Sequence, residues 1–369
     1  MVKIKATNKV LLSPLQHVTG IVERRHTLPI LSNVLVLVHG EAIHFIATDL
    51  EVQITARAVL EGGGGSEGSI TVAARKLYDI LRSLPEDAEV ALEAKENRMV
   101  VRAGKSRFNL QTLSAADFPR MVESKDVART LTLPQKALRH ALGLVQFAMA
   151  VQDIRYYLNG VLFSVDKNML RVVATDGHRL SFAAESLIGE HESVEAILPR
   201  KTVLELIKLL TDSEEPVTLS IGSSQVRFSF GEIEIVSKIV EGKFPDYLKV
   251  IPTTHKNSVS VARSVLAQSL NRAAILSNDK IRGVRLVFTK NALSIICSNN
   301  EQEEAEESLT IEYDGDPIDI GFNIAYLLDV LNHIDSDTVI ITMGDSNSSA
   351  LVQVPGNEDF KYVVMPMRI

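Results

Sequence analysis

Asp176 and His178 flank a single glycine in the segment Thr175-Asp176-Gly177-His178-Arg179. Side chains of both types can take up or release a proton. An Asp and a His together could form an acid–base pair in a hydrolytic site. Asp followed by Gly after a run of β-branched residues is instead typical of a turn at the end of a strand. We favour the turn, and we expect that the chain is not an enzyme.

Other candidate chemistry is incomplete. The glycine run at 62–65 lacks the G-K-[ST] ending of a phosphate-binding loop, and His191-Glu192 lacks the second histidine of an H-E-x-x-H zinc motif. The single cysteine, Cys297, excludes an intramolecular disulfide and a cysteine-rich metal site. We therefore expect neither a cofactor nor a metal.

The composition is that of an ordinary globular protein. Hydrophobic residues make up 46% of the chain and charged residues 23%, which excludes a wholly disordered or fibrous protein. No segment reaches the ~20 apolar residues of a membrane span. Residues 1–10 alternate lysine with apolar residues and lack the core of a signal peptide. These features predict a cytoplasmic protein with no membrane partner.

The helices and strands that would position a functional site recur along the chain. The apolar pattern i, i+3, i+4, i+7 of an amphipathic helix begins at Leu77, Val203 and Leu327, at offsets of 126 and 124 residues. An earlier helical pattern begins at Leu11 and Leu138 and recurs more weakly from Leu266. Strand-like blocks at 46–49, 173–176 and 296–299 share this period. The sequence thus predicts three homologous domains, 1–126, 127–253 and 254–369.

Each predicted domain combines two amphipathic helices with short strands rich in Val, Ile, Leu and Phe. This combination is typical of an α+β fold in which helices gather on one face of antiparallel sheet. The predicted helices cover residues 8–25, 74–84, 135–149, 199–210, 262–276 and 323–334.

Charge is divided unevenly between the helices and the rest of the chain. The six predicted helices carry thirteen Lys or Arg and four Asp or Glu, a net charge of +9, whereas the whole chain carries −7. If the helices share one face, that face could attract a phosphate backbone without reading bases. The alternative is that Lys and Arg are good helix formers on solvated faces. Charge by itself leaves both interpretations open.

The chain resembles a known family, the bacterial sliding clamps, which are the β subunits of DNA polymerase III. The resemblance covers the whole chain and is carried by specific segments. These are TLPIL at 27–31, RYYLNG at 155–160, ATDGHRL at 174–180, FPDY at 244–247, RAAILSN at 272–278, EQEEAEE at 301–307, GFN at 321–323 and YVVMPMR at 362–368.

The resemblance implies a DNA clamp fold, closed into a ring by a head-to-tail homodimer, with helices around a hole that holds double-stranded DNA. It implies that a clamp loader opens the ring with ATP while the clamp itself binds no nucleotide. It also implies tethering of the polymerase III catalytic subunit, repair polymerases, mismatch-repair proteins, ligase and an initiation regulator. The residues that match the family's DNA contacts are Arg25, Arg75, Gln152, Tyr156 and Tyr157.

The resemblance further implies a dimer interface in which Phe108 meets Ile275 and Leu276 of the other subunit. Basic residues would face acidic residues around this apolar centre. They are Lys76, Arg98, Lys105 and Arg107 on one side and Glu303, Glu304, Glu306 and Glu307 on the other. Without the resemblance, Ile275 and Leu276 could equally be core residues at a helix end.

A peptide-binding groove between the second and third domains is also implied by the resemblance. Its ligand would be a short segment with a Gln and Leu or Phe anchors, carried in the flexible tails of partners. The matching residues are Arg155, Leu158, Thr175, Gly177, His178, Arg179, Leu180, Pro245, Val250, Asn323, Tyr326, Ser349, Val363, Val364, Met365, Pro366, Met367 and Arg368. Asn347 departs from the smaller apolar residue often found there, which could change the contacts to the peptide Gln.

Two other classes of function remain as alternatives at this point. One is a protein–protein scaffold with no role on DNA, and the more remote one is an enzyme on an unfamiliar fold. Retention on DNA that depends on salt would distinguish a DNA-binding ring from a scaffold.

Overall fold

The computed structural model describes residues 2–23, 28–60, 65–122 and 127–368. Within these residues the chain forms six α-helices, two in each predicted repeat, as the sequence indicates. Their bounds are α1 Asn8–Val18, α2 Ala74–Arg82, α3 Gln135–Val145, α4 Arg200–Leu209, α5 Arg263–Ala273 and α6 Ile324–His333.

The first helix of each repeat ends earlier than its apolar pattern predicts. α1, α3 and α5 pass into 3₁₀ turns at Thr19–Ile21, Gln146–Ala148 and Ala274–Leu276. The first two turns bury Thr19, Ile21, Phe147 and Ala148, whereas the third has no buried residue. The end of the predicted helix 8–25 lies outside the described residues.

Packing divides the chain into two compact units. Unit 1 comprises residues 1–136 and 204–239, and unit 2 comprises residues 137–203 and 240–369. The chain passes between the units three times, within α3, within α4 and at 239/240. The predicted domain limits at 126/127 and 253/254 stay a prediction.

The described strands of unit 1 form one antiparallel sheet. Its strands are β1 Val2–Thr7, β2 Asn33–His39, β3 Ala42–Thr48, β4 Val52–Val59, β5 Gly68–Ala73, β6 Glu89–Lys95, β7 Arg98–Ala103, β8 Ser106–Leu113, β9 Val127–Pro134, β12 Pro216–Gly222, β13 Gln225–Phe230 and β14 Ile233–Lys238. Their order in space is β1-β6-β7-β8-β5-β2-β3-β4-β14-β13-β12-β9. Repeats 1 and 2 join where β4 pairs with β14, with Ile54 opposite Ile235.

The described strands of unit 2 form two antiparallel sheets, ordered β10-β11-β22-β21-β20-β15 and β18-β17-β16-β19. Repeats 2 and 3 join where β11 pairs with β22, with Leu180 opposite Val363. The strands are β10 Gly160–Thr175, β11 Arg179–Pro199, β15 Asn257–Ala262, β16 Gly283–Thr289, β17 Ala292–Ser298, β18 Glu304–Thr310, β19 Ile318–Asn323, β20 Thr338–Met343, β21 Ala350–Val354 and β22 Asn357–Val364.

The helices bury the apolar stripes that predicted them. Leu77 and Leu81 of α2 and Leu206 of α4 are completely buried, and the stripe of α6 is buried from Leu327 to Ile334. Burial of each such side chain stabilises the fold by roughly 1.5–3 kcal/mol. The stripes therefore fix which helix face packs on the sheets.

The first residue of the leading helix is tied to the end of the second helix in every repeat. Asn8 donates Nδ2 to the carbonyl of Leu81 at 2.9 Å, and the Oε1 of Gln135 accepts from the amide of Thr211 at 3.1 Å. Arg263 donates Nε to the carbonyl of Ser336 at 2.6 Å. Each bond joins the start of the leading helix to the backbone at or just beyond the end of the second helix.

Candidate functional site

A cavity of about 120 Å³ opens in unit 2 where β11 pairs with β22. Its lining is mainly apolar, with a few polar groups, which is usual for a ligand pocket. The lining residues are Arg155, Tyr157, Leu158, Thr175, Gly177, Arg179, Leu180, Pro245, Val250, Val363 and Met365.

The turn at 175–179 forms one wall, and its own side chains hold its shape. The hydroxyl of Thr175 donates to the carbonyl of Arg179 at 2.6 Å. The carboxylate of Asp176 accepts from the amides of His178 and Arg179 at 2.9 and 3.0 Å. Asp176 and His178 thus belong to a turn, and the expectation of a structural rather than a catalytic role agrees with this geometry.

Arg155 lies at the rim, with its side chain 46% exposed. It forms an ion pair with Asp153 (Nη2 to Oδ2, 2.9 Å) and donates to the carbonyl of Asp176 at 3.3 Å. The guanidinium holds the pKa of Asp153 down to about 2. Gly177, at φ +90°, lies directly under it, because a Cβ there would stand 3.1 Å from both terminal nitrogens of Arg155.

Arg179 is the buried cation of the wall, with 9% of its side chain exposed. Its Nε donates to Asp176 at 3.1 Å, its Nη1 to Asp329 at 2.5 Å, and its Nη2 to the carbonyl of Phe147 at 2.7 Å. Burial opposes its charge, but Tyr362, Asp329 and Asp176 raise the pKa of Arg179 above its ordinary value. The guanidinium also lies 4.3 Å from the centre of the Tyr326 ring.

The C-terminal tail forms a second wall, hydrogen-bonded to the turn at 175–179. Val363 and Val364 are buried in β22, and Met365 beyond them is 44% exposed. The amide of Met365 donates to the carbonyl of His178, and that of Met367 to the carbonyl of Gly321, both at 2.9 Å. An exposed Met held by its backbone leaves a flexible, adaptable side chain at the edge of the cavity.

The structure brings ten of the eighteen predicted groove residues to the cavity. The other eight do not line it, although His178 and Val364 are chain neighbours of lining residues; these eight are His178, Asn323, Tyr326, Ser349, Val364, Pro366, Met367 and Arg368. Asn323 caps α6 by accepting from the amide of Ala325, and Tyr326 packs on Arg179. The carbonyl of Ser349 is hydrogen-bonded by His255, and Asn347 is exposed in a turn. The ligand-binding role of all these residues stays a prediction.

The predicted DNA contacts differ in their settings. Arg75 is exposed on α2 and donates to the carbonyl of Val22 at 3.1 Å, whereas Arg25 lies outside the described residues. Gln152 is exposed at φ +56°. Tyr156 is 59% exposed in a 3₁₀ turn, Tyr156–Leu158. Tyr157, in the same turn, lines the cavity, so the structure places it with the groove residues.

The predicted interface residues lie on α2, on β7 and β8 and the turn between them, in the 3₁₀ turn after α5, and on or just before β18. Phe108 is half-buried on β8, and Ile275 is 78% exposed beside the half-buried Leu276. Lys76, Arg98, Lys105, Arg107, Glu303, Glu304 and Glu306 are exposed. Glu307 forms an ion pair with Arg272 of its own chain, which the sequence did not indicate.

Ser66 and Cys297 are two side chains whose chemistry could support nucleophilic catalysis. Ser66, within the letters G-x-S-x-G at 64–68, accepts from the amide of Lys3 at 2.8 Å and so fastens a backbone segment. Burial raises the pKa of the Cys297 thiol to about 11. The described residues contain no cluster of His, Cys, Asp and Glu fit for a metal ion. No helix among them is long and apolar enough to cross a membrane.

Family models match almost the whole chain. The N-terminal, central and C-terminal domain models of the DNA polymerase III beta subunit match residues 2–122, 132–246 and 248–368. The chain belongs to this family. Three tandem domains of one α+β fold follow from the matches.

Full-length relatives agree. The chain is 48% identical to the beta sliding clamp of Pseudomonas putida over 362 residues, 98% of each chain. It is 43% identical to that of Escherichia coli K12 over 367 residues, 100% of each. A crystal structure of the sliding clamp from Pseudomonas aeruginosa bound to griselimycin matches all of both chains at 46% identity and a TM-score of 0.96.

The function class of the chain is therefore that of a sliding clamp in DNA replication, and the scaffold without a DNA role is not favoured.

Sequence reasoning did not find the ion pairs that hold Arg179. Asp176 and Asp329 stand 3 and 150 positions from it, and the longer separation leaves no local signal in the sequence.

Proposed function

We propose that the chain forms a head-to-tail homodimeric ring around duplex DNA and tethers replication and repair proteins through the cavity between β11 and β22. The observation that carries the tethering proposal is the cavity itself, apolar within and edged by the exposed Met365. A short peptide with Leu or Phe anchors fits such a lining because its apolar side chains lose water there.

The polymerase III catalytic subunit, repair polymerases, mismatch-repair proteins, ligase and an initiation regulator are the proposed peptide donors. A clamp loader is the proposed opener of the ring. Each subunit has one such cavity, so a dimer offers two, and partners must share or compete for them. A tether of this kind acts by raising the local concentration of its partner at DNA.

The dimer proposal is supported by complementary sheet edges. β18, at the end of its sheet order, carries the exposed Glu304 and Glu306. Residues 106–111 of β8, on which Arg107 is exposed, pair with β7 on one side. Two such edges of opposite charge suit pairing between subunits, and a heterologous contact of this kind closes a ring when the rotation permits.

The DNA proposal is supported by the positive charge of the helices and by the exposed Arg75, Gln152 and Tyr156. Arg contacts phosphate, and a Tyr ring can lie against sugar or base, so binding would not depend on sequence. The proposal needs no catalytic residue and no cofactor, and work on chromosomal DNA suits the cytoplasmic location predicted from sequence.

The decisive experiment loads the protein on nicked circular DNA with a clamp loader and ATP. We expect the loaded protein to persist on the circle in high salt and to leave after the DNA is cut to a linear form. Equal retention on circular and linear DNA would contradict a topological ring. Loss from both forms in moderate salt would indicate an ordinary electrostatic binder.

A further inference from the structure

We propose that Asp329, which does not line the cavity, is a positioning residue for peptide binding and acts through Arg179. The inference rests on the proposed peptide pocket and assigns a new residue to its control. Asp329 lies on α6 of repeat 3, whereas Arg179 begins β11 of repeat 2, and both belong to unit 2.

Arg179 has few donors left for a ligand. Its guanidinium is shared between the carboxylates of Asp176 and Asp329 and the carbonyl of Phe147, and one face is covered by Tyr326. A buried guanidinium with these partners is better suited to hold the cavity wall in place than to contact an incoming peptide. We infer that Arg179 shapes the wall rather than reading the ligand.

Arg179 is linked to both walls of the cavity. Arg179 fixes the Asp176 carboxylate at 3.1 Å, and the carbonyl of Asp176 accepts from Arg155 at the rim. The backbone of Arg179 pairs with Val364, directly before Met365 of the tail. A shift of Arg179 therefore moves the rim cation and the tail together.

Asp329 supplies the carboxylate of repeat 3 that pairs with Arg179, while Tyr326 on the same helix covers one face of the guanidinium. Asp176 and Phe147 belong to repeat 2, so their bonds do not fix the guanidinium against α6. The Asp329 side chain is 38% exposed, and Asn is nearly isosteric with it, so the fold should accept the neutral variant. The charge-assisted bond to Nη1 is what the variant removes.

The test measures binding of a fluorescein-labelled synthetic peptide that contains one Gln followed by Leu and Phe anchors. We expect Asp329→Asn, and also Asp329→Ser, to raise the Kd roughly fivefold. Asp329→Glu keeps the carboxylate and should restore most of the affinity. Asp335→Asn, an exposed position just beyond the same helix, is the matched control and should leave the Kd unchanged.

A double-mutant cycle separates positioning from general loosening. In an Arg179→Met background, Asp329→Asn should have almost no further effect on the Kd, because the residue through which it acts is gone. A full additional loss in that background, or an unchanged Kd in Asp329→Asn alone, would overturn the inference while leaving the pocket intact. Failure of the wild-type protein to bind would overturn the proposed pocket, and the inference with it.

Discussion

Arg272 on α5 holds Glu307 on β18 through a two-pronged ion pair, with Nε to Oε1 at 2.8 Å and Nη2 to Oε2 at 2.5 Å. The pair fastens the acidic strand to the helix that carries Ile275 just beyond its end. Glu307 is thereby occupied within its own chain, and it raises the pKa of Arg272. The exposed Glu304 and Glu306 are then better placed than Glu307 to meet a basic partner edge.

The apolar centre of the proposed interface should decide the oligomeric state. Ile275 is 78% exposed, so truncating it costs the isolated fold little, whereas an apolar anchor often dominates an interface. We expect the double variant Ile275→Ala, Leu276→Ala to sediment as a 40.6 kDa monomer at micromolar concentration, and the wild type at twice that mass. Ile188→Ala, at a 93% exposed position, should remain dimeric. A stable wild-type monomer would refute the dimer.

The tail beyond β22 should be needed for peptide binding but not for folding. Met365 lines the cavity and is 44% exposed. We expect Met365→Ala to raise the peptide Kd roughly tenfold, about 1.4 kcal/mol, and truncation before Met365 to abolish binding. Leu248→Ala, an exposed apolar position that does not line the cavity, serves as the control in the same titration. Equal binding by the truncated, folded dimer would show that the pocket is elsewhere.

A methyl group at Gly177 should act on the pocket through Arg155. Gly177 and Gly189 both have positive φ, +90° and +84°, so an alanine at either position strains the backbone by about 1–2 kcal/mol. A Cβ at Gly177 would also press on Arg155, whereas one at Gly189 would meet nothing within 4 Å. We expect similar losses in thermal stability from both variants but weaker peptide binding from Gly177→Ala alone. The same Kd for both variants would contradict this role of Arg155.

Glu185 should make stability depend on pH. Burial, and then the nearby Asp359, raise the pKa of Glu185 to about 7 in the folded chain. Between its ordinary value and 7 the folded protein retains a proton that the unfolded chain has lost, so the free energy of unfolding falls as pH rises.

Glu185→Gln removes this titration. Its melting temperature should therefore exceed that of the wild type by little at pH 5 and by more at pH 8, measured by calorimetry at one protein concentration. Glu190→Gln, exposed on the same strand, should show no such trend. A difference between Glu185→Gln and wild type that stays constant with pH would argue against a raised pKa.

The helices were predictable because their stripes are local. The spacing of Leu77 and Leu81 predicts α2, and both side chains are buried as expected. The joins between repeats were not predictable, since the pairing of Ile54 with Ile235 or of Leu180 with Val363 depends on distant segments. Resemblance to a family supplied most of the cavity lining. It also assigned Tyr157 to DNA; that role stays a prediction, and the structure adds that Tyr157 lines the cavity.

The joins between repeats use backbone hydrogen bonds, which any amino acid except proline can supply. The joins therefore place little constraint on which side chains stand at equivalent positions of the repeats. Asn8, Gln135 and Arg263 illustrate the outcome, since an amide donor, an amide acceptor and a guanidinium now perform the same tie. The cavity where repeats 2 and 3 join and the proposed subunit contact can therefore differ in their side chains while the pairing between repeats stays the same.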